Sequence, residues 1–211
     1  MAIRIFKALL MLVMVVAVKA YTPLSDNTLK SLPFAGADFD IKTGSILSPI
    51  LIPRVPGTPG SKAVQQHLVR WFQTNLPDWN IEFQNSTATT PATGTKQVPF
   101  VNIIITRDPP WTKPGNVGRL AVVAHYDSLI KPAGFIGAVD SAAPVAMIMH
   151  AARSVDEALT KKWAAMKAEG SHGLEEEKGL QILFLDGEEA FVSWTATDSL
   201  YGARFVLLLQ R

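Results

Sequence analysis

The sequence predicts an α/β domain built on a mixed, mostly parallel sheet. Two short apolar runs, Leu120 to His125 and Leu180 to Leu185, flank a long Ala- and Met-rich helical stretch from Ser141 to about Lys167. Strands joined through such a helix pair in parallel by a right-handed crossover. Polar clusters follow directly on these strands, at the carboxyl ends where sheets of this kind gather ligands. Hydrophobic residues make up 48% of the 211 and charged ones 18%, which suits one globular core and not a disordered chain.

Residues 1–20 begin with Arg4 and Lys7, continue as an apolar run from Ala8 to Val18, and close on Ala20. That run is too short to cross a hydrocarbon core of roughly 30 Å as a helix, so a secretory signal peptide cleaved near Ala20 is expected. Removing Arg4, Lys7 and Lys19 turns the formal charge of +2 into about −1. Nothing in it resembles the basic stripe of a nucleic-acid binder. No later stretch is apolar enough to span a bilayer, so no stable membrane association is expected.

Residues 21–60 are Pro- and Gly-rich and read as a leader packing over the domain of residues 61–211. The turn-rich Arg54-Val55-Pro56-Gly57-Thr58-Pro59-Gly60-Ser61 precedes a helix running to about Leu76, with Ser61 as its expected cap. Val64, Leu68, Trp71 and Phe72 then share a core-facing side. Strands are expected at Trp79 to Phe83 and Phe100 to Thr106, ahead of Leu120 to His125. Asn85-Ser86-Thr87 is a glycosylation sequon in a Thr/Ser-rich stretch, read as a surface loop. Gly170 to Gly179, with Glu175, Glu176 and Glu177, reads as a charged loop, and Ser199 onward as a helix. With no cysteine, disulfides and thiolate metal sites are excluded.

Three clusters carry chemistry: His125-Tyr126-Asp127-Ser128, Asp140-Ser141, and Asp186-Gly187-Glu188-Glu189. Each has a plain reading by itself: a hydrogen-bonded His–Asp pair, a helix cap, and an acidic helix start favoured by the dipole. Together, in this order, they predict a metal site, because convergent carboxylates repel unless a cation or proton sits among them. Oxygen donors with an imidazole and no thiolate suit zinc, and leave magnesium and calcium open.

The stretches Val55 to Ser61, His125 to Ser128, Gly137 to Pro144 and Asp186 to Phe191, with Trp194 and Asp198 to Arg204, resemble the glutaminyl-peptide cyclotransferase branch of the zinc aminopeptidase superfamily. The resemblance covers roughly residues 25 to 204. It implies a three-layer, zinc-exopeptidase-like sandwich and conversion of N-terminal glutamine of peptides or proteins to pyroglutamate with release of ammonia. Asp140 and Glu189 would hold one zinc, Glu188 would be the general acid/base, and Trp194 would line the substrate pocket. His125 and Asp127 match positions that serve as a metal ligand and its orienting carboxylate in aminopeptidases. In the cyclase branch they would stand behind the ligands. A secreted aminopeptidase with two metals, His125 then being a ligand, is the alternative within the superfamily.

The resemblance also implies a third ligand, a histidine far toward the carboxyl terminus. None of His67, His150 and His172 matches it, and the likeness fades at Phe205 to Arg211. The expectation is therefore a chain incomplete at its C-terminal end, with a sheet edge and an apolar face uncovered and little activity of its own. A non-catalytic, peptide-binding or inert secreted fragment is the alternative of a different class.

Overall fold

The computed structural model describes residues 23–34, 36–113, 116–170 and 178–209. The expected signal peptide, His172 and the run Glu175 to Glu177 lie outside them. The chain divides between Phe34 and Ala35 into two compact units. In the first, a short helix, α1 (Asp26–Lys30), is capped by Ser25, whose hydroxyl accepts from the Thr28 N–H.

The second unit carries the sheet. After two 3-10 turns, Gly36–Phe39 and Ser48–Ile50, come α2 (Pro59–Asn75), β1 (Asn80–Thr89), β2 (Gln97–Arg107) and β3 (Gly118–His125). Then follow α3 (Ala143–Ala168), β4 (Lys178–Leu185) and α4 (Tyr201–Leu209). The strand order is β1-β2-β4-β3. The sheet is mixed, as expected, but its parallel pairing among the described strands is confined to β3 and β4. β1 and β2 form a hairpin, which can only be antiparallel, and β2 meets β4 antiparallel too. The parallel joint is the one that has a helix, α3, to make its crossover.

Side chains alternate across the sheet and so sort the helices into layers. Ile103 and Ile105 of β2 and Ile182 and Phe184 of β4 face Val64, Leu68 and Phe72 of α2 and Val145, Ala146 and Met149 of α3 in one core. Phe100 points the other way, onto Phe191 and Tyr201, where α4 packs. Helix, sheet and helix thus make three layers. Ile46, Leu47 and Ile50 also enter the main core, so the second half of the expected leader is part of the domain's interior.

Two local expectations change. The cap of α2 is Thr58, whose hydroxyl accepts from the Ser61 N–H, because Pro59 already occupies the first turn. β1 continues to Thr89, paired throughout with β2, so Asn85 is exposed on an edge strand instead of a loop. Its Thr- and Ser-rich face tolerates water, as an edge strand requires. The other edge, β3, is different: Leu120, Val122 and Val123 are exposed.

Candidate metal centre

The site forms where the two parallel strands end. The Tyr126 N–H donates to the Leu185 carbonyl at 2.9 Å, carrying the pairing one residue past β3 and aligning His125–Ser128 with Asp186–Glu189. Asp127 is fully buried, and its carboxylate joins the two strand ends. Oδ1 accepts from the Glu188 N–H and Oδ2 from the Glu189 N–H, each at 3.0 Å, while Oδ1 also lies 3.2 Å from His125 Nδ1. Glu188 and Glu189 stand in an irregular turn, not at a helix start, and the bend at Gly187 needs a φ of +72°.

Asp140 arrives from a third segment. It lies in the distorted turn Ala138–Ala142 with φ −114° and ψ 94°, and α3 proper begins only at Ala143, without a side-chain cap. Asp140 is therefore not a helix cap. Its Oδ1 meets His125 Nε2 at 2.8 Å, and Ser141 Oγ donates to the His125 carbonyl, tying the turn to β3. Glu188 Oε2 is 3.7 Å from the same Nε2. One ligand atom each from His125, Glu188 and Glu189 lies within 4.8 Å of the others.

The electrostatics are those of acids crowded out of water. Burial, then the charge of Asp127, pushes Glu189 up to about 7. Burial also raises Glu188, against the pull of His125. Burial alone would lower His125, but the hydrogen bond and charge of Asp127, the hydrogen bond to Asp140 and the charge of Glu188 together outweigh it, and the ring is pushed up to about 9. Behind the turn, burial and the Asp127 charge push Asp186 up to about 8. Protons thus hold the cluster together, the role that a cation fills when such groups bind metal. Several carboxylates and an imidazole, with no thiolate, fit zinc.

The structure brings His125, Asp127, Asp140, Glu188 and Glu189 together. Trp194 sits apart from the core, 57% exposed. Its loop is drawn onto Asp198, whose carboxylate accepts from the Phe191, Val192 and Ser193 N–H groups and from the Tyr201 hydroxyl. Sequence reasoning missed Asp198, and also Asn102, which accepts from the Asp186 N–H and donates to the Gly202 carbonyl. It missed Arg54 too, although a lone arginine after the apolar Ile50 to Pro53 was a signal.

Comparison with known proteins places the chain in a family. The profile of peptidase family M28 matches residues 102–210, half of the chain. The chain belongs to peptidase family M28. Within the family's reach, the chain is 36% identical over 170 residues to the glutaminyl-peptide cyclotransferase-like protein of Bos taurus, covering 78% of this chain and 39% of that protein. To the glutaminyl-peptide cyclotransferase of Gloydius blomhoffii it is 39% identical over 163 residues, covering 75% and 41%. Among solved structures, the glutaminyl cyclase of Macrostomum lignano superposes with a TM-score of 0.67 at 30% identity, covering 91% of this chain and 51% of that one. A Zn-dependent exopeptidase from Parabacteroides distasonis, 21% identical, shares the fold at a TM-score of 0.52 over 83% of this chain and 56% of its own. The α/β, zinc-exopeptidase-like fold is thus shown. The chain spans about two-fifths of the length of the curated relatives it matches.

Proposed function

We propose that the site is the zinc centre of a glutaminyl-peptide cyclotransferase acting on peptide or protein N-termini. The observation that carries this is the grouping of His125, Glu188 and Glu189 at the ends of β3 and β4, with Asp140 brought from a third segment to the same His125 ring at 2.8 Å. Asp140 and Glu189 would hold one zinc, with Asp127 fixing the Glu189 backbone and the His125 ring behind them. When bound, the metal supplies a Lewis acid for the oxygen of the substrate's side-chain amide.

Glu188 is the acid/base. Its carboxylate, made a stronger base by burial, takes a proton from the attacking N-terminal amine as the new C–N bond closes the ring. It then gives a proton to the departing amide nitrogen, which leaves as ammonia. The nucleophile is tethered to the carbon it attacks, so the pocket has mainly to hold one geometry. Trp194 is the proposed apolar wall against water, which otherwise would yield deamidation. A secretory route is consistent with the N-terminal apolar run and with Asn85 being exposed for glycosylation. No helix among the described residues is long and apolar enough to cross a membrane.

The grouping of His125 with Glu188 and Glu189 favours a second reading, an aminopeptidase with two metals in which His125 is a ligand. Zinc content and ammonia release from a Gln-initiated peptide separate the two, measured on this chain and on a form extended to its relatives' length. One zinc per chain and ammonia lost on Glu188→Gln support the cyclase. Two zincs with release of the N-terminal residue support the peptidase.

A further inference from the structure

Arg54 is the largest fully buried side chain described, and among the described residues its guanidinium hydrogen-bonds to backbone carbonyls and not to a carboxylate. Burying a charge that makes no direct ion pair is costly even when it is hydrogen-bonded, so its retention needs an explanation. The acceptors of its side-chain hydrogen bonds are all backbone carbonyls. Nε donates to Tyr126 O at 2.5 Å and Nη2 to Gly137 O at 3.0 Å. Nη1 donates to Ile136 O and, at 3.3 Å, to Ile50 O and Ile52 O. Its own N–H donates to Ser128 Oγ at 3.0 Å.

These carbonyls belong to three segments. Tyr126 lies between His125 and Asp127, Gly137 precedes the Asp140 turn, and Ile50 and Ile52 anchor the guanidinium to the core. Gly137 sits so close that a Cβ there would meet Arg54 Nη2 at 3.1 Å and Asp140 O at 2.3 Å. The attraction of Asp127, Glu189 and Asp140 opposes the cost of burying the guanidinium. We infer that Arg54 is a positioning residue of the metal centre: its planar fork sets the spacing between the His125–Asp127 strand end and the Asp140 turn, and its charge balances the acids that would hold the metal. A lysine has the charge but a single nitrogen, which cannot span carbonyls on three segments.

This inference rests on the zinc reading of the site, and its test reads metal affinity, not turnover. Zinc dissociation constants are measured by competition with a chromophoric chelator, scaled to the folded fraction from circular dichroism. The proteins are the wild-type chain, Arg54→Lys, Arg54→Met and the surface control Arg70→Met. Loss of the fork should weaken zinc binding about 10-fold in Arg54→Lys, and loss of fork and charge about 100-fold in Arg54→Met, the range for residues that orient metal ligands. Arg70→Met should stay within about twofold, since an exposed charge is screened. Wild-type affinity in folded Arg54→Met would overturn the inference, as would failure of both Arg54 variants to fold, which would make the residue a general core element. A wild-type chain that binds no zinc sinks the zinc reading itself, a separate outcome.

Discussion

Replacing Asp127 by alanine should destabilise the fold while leaving every proposed zinc ligand in the sequence. The buried carboxylate accepts the Glu188 and Glu189 amides at 3.0 Å each, and alanine leaves both donors without a partner. A stranded buried donor costs about 1–3 kcal/mol. The Glu189 amide is buried and the Glu188 amide only partly so, which gives about 2–5 kcal/mol for the pair. A gain runs the other way, because Asp127 raises the pKa of Asp186 and Glu189 by its charge. That gain is smaller than the loss, since His125 and the buried Arg54 would lose the carboxylate that favours their charged forms. Urea unfolding followed by circular dichroism is the assay. With an m-value of about 2 kcal/mol/M, the midpoint should fall by about 1 to 2.5 M at unchanged slope. Asp127→Asn keeps one acceptor oxygen and turns an NH2 group toward the other amide, so it should fall between the two. A midpoint for the alanine variant within about 0.2 M of wild type would refute the account of Asp127 as the joint between the strand ends.

Two further outcomes follow from the same geometry. His125, raised from 6.5 to about 9, adds stability that is complete below its unfolded value and lost as pH climbs through about 9. Glu189, raised from 4.5 to about 7, and Asp186, raised from 3.8 to about 8, also keep protons that the unfolded chain releases. All three have one sign, so thermal melts of the metal-free chain should fall from about pH 5 to about pH 9, with zinc reversing the loss at the alkaline end. A flat profile would contradict it. Gly187→Ala places a Cβ 2.4 Å from the Phe100 ring, at a backbone φ of +72°. The Phe100–Tyr201 stack, centroids 4.7 Å apart, would have to open, and the melting temperature should drop by about 4 °C or more. A drop under about 1 °C would show that the turn can relax at little cost.

The elements read most directly from sequence are those whose signal is local. β2, β3 and β4 are apolar, β-branched runs between turn residues, and α3 is a long Ala-rich period. The meeting of His125 with Glu188 and Glu189 was legible for the same reason, since polar residues at the carboxyl ends of neighbouring parallel strands lie at one end of the sheet, whereas Asp140 reaches them from the turn before α3. What stayed hidden depends on partners far along the chain. Asp127 serves amides 61 and 62 residues away, and Arg54 serves carbonyls as distant as Gly137, 83 residues on. No periodicity announces either role. The placement of β4 between β2 and β3, and the extension of β1 through the sequon, were likewise decided by pairing and not by propensity.

The position of β4 in the sheet also orders events in time. β2 and β3 never pair with each other, and each waits for a strand that is made only after the whole of α3. On a ribosome adding about 5–20 residues per second, both strands stand without this neighbour for several seconds. The hairpin of β1 and β2 can form early, but the two halves of the metal site, one after β3 and one after β4, come together only with the final insertion. Nascent chains halted before Lys178 would carry His125 and Asp140 without the glutamates, and would expose the apolar edge of β3 to whatever chaperone is present.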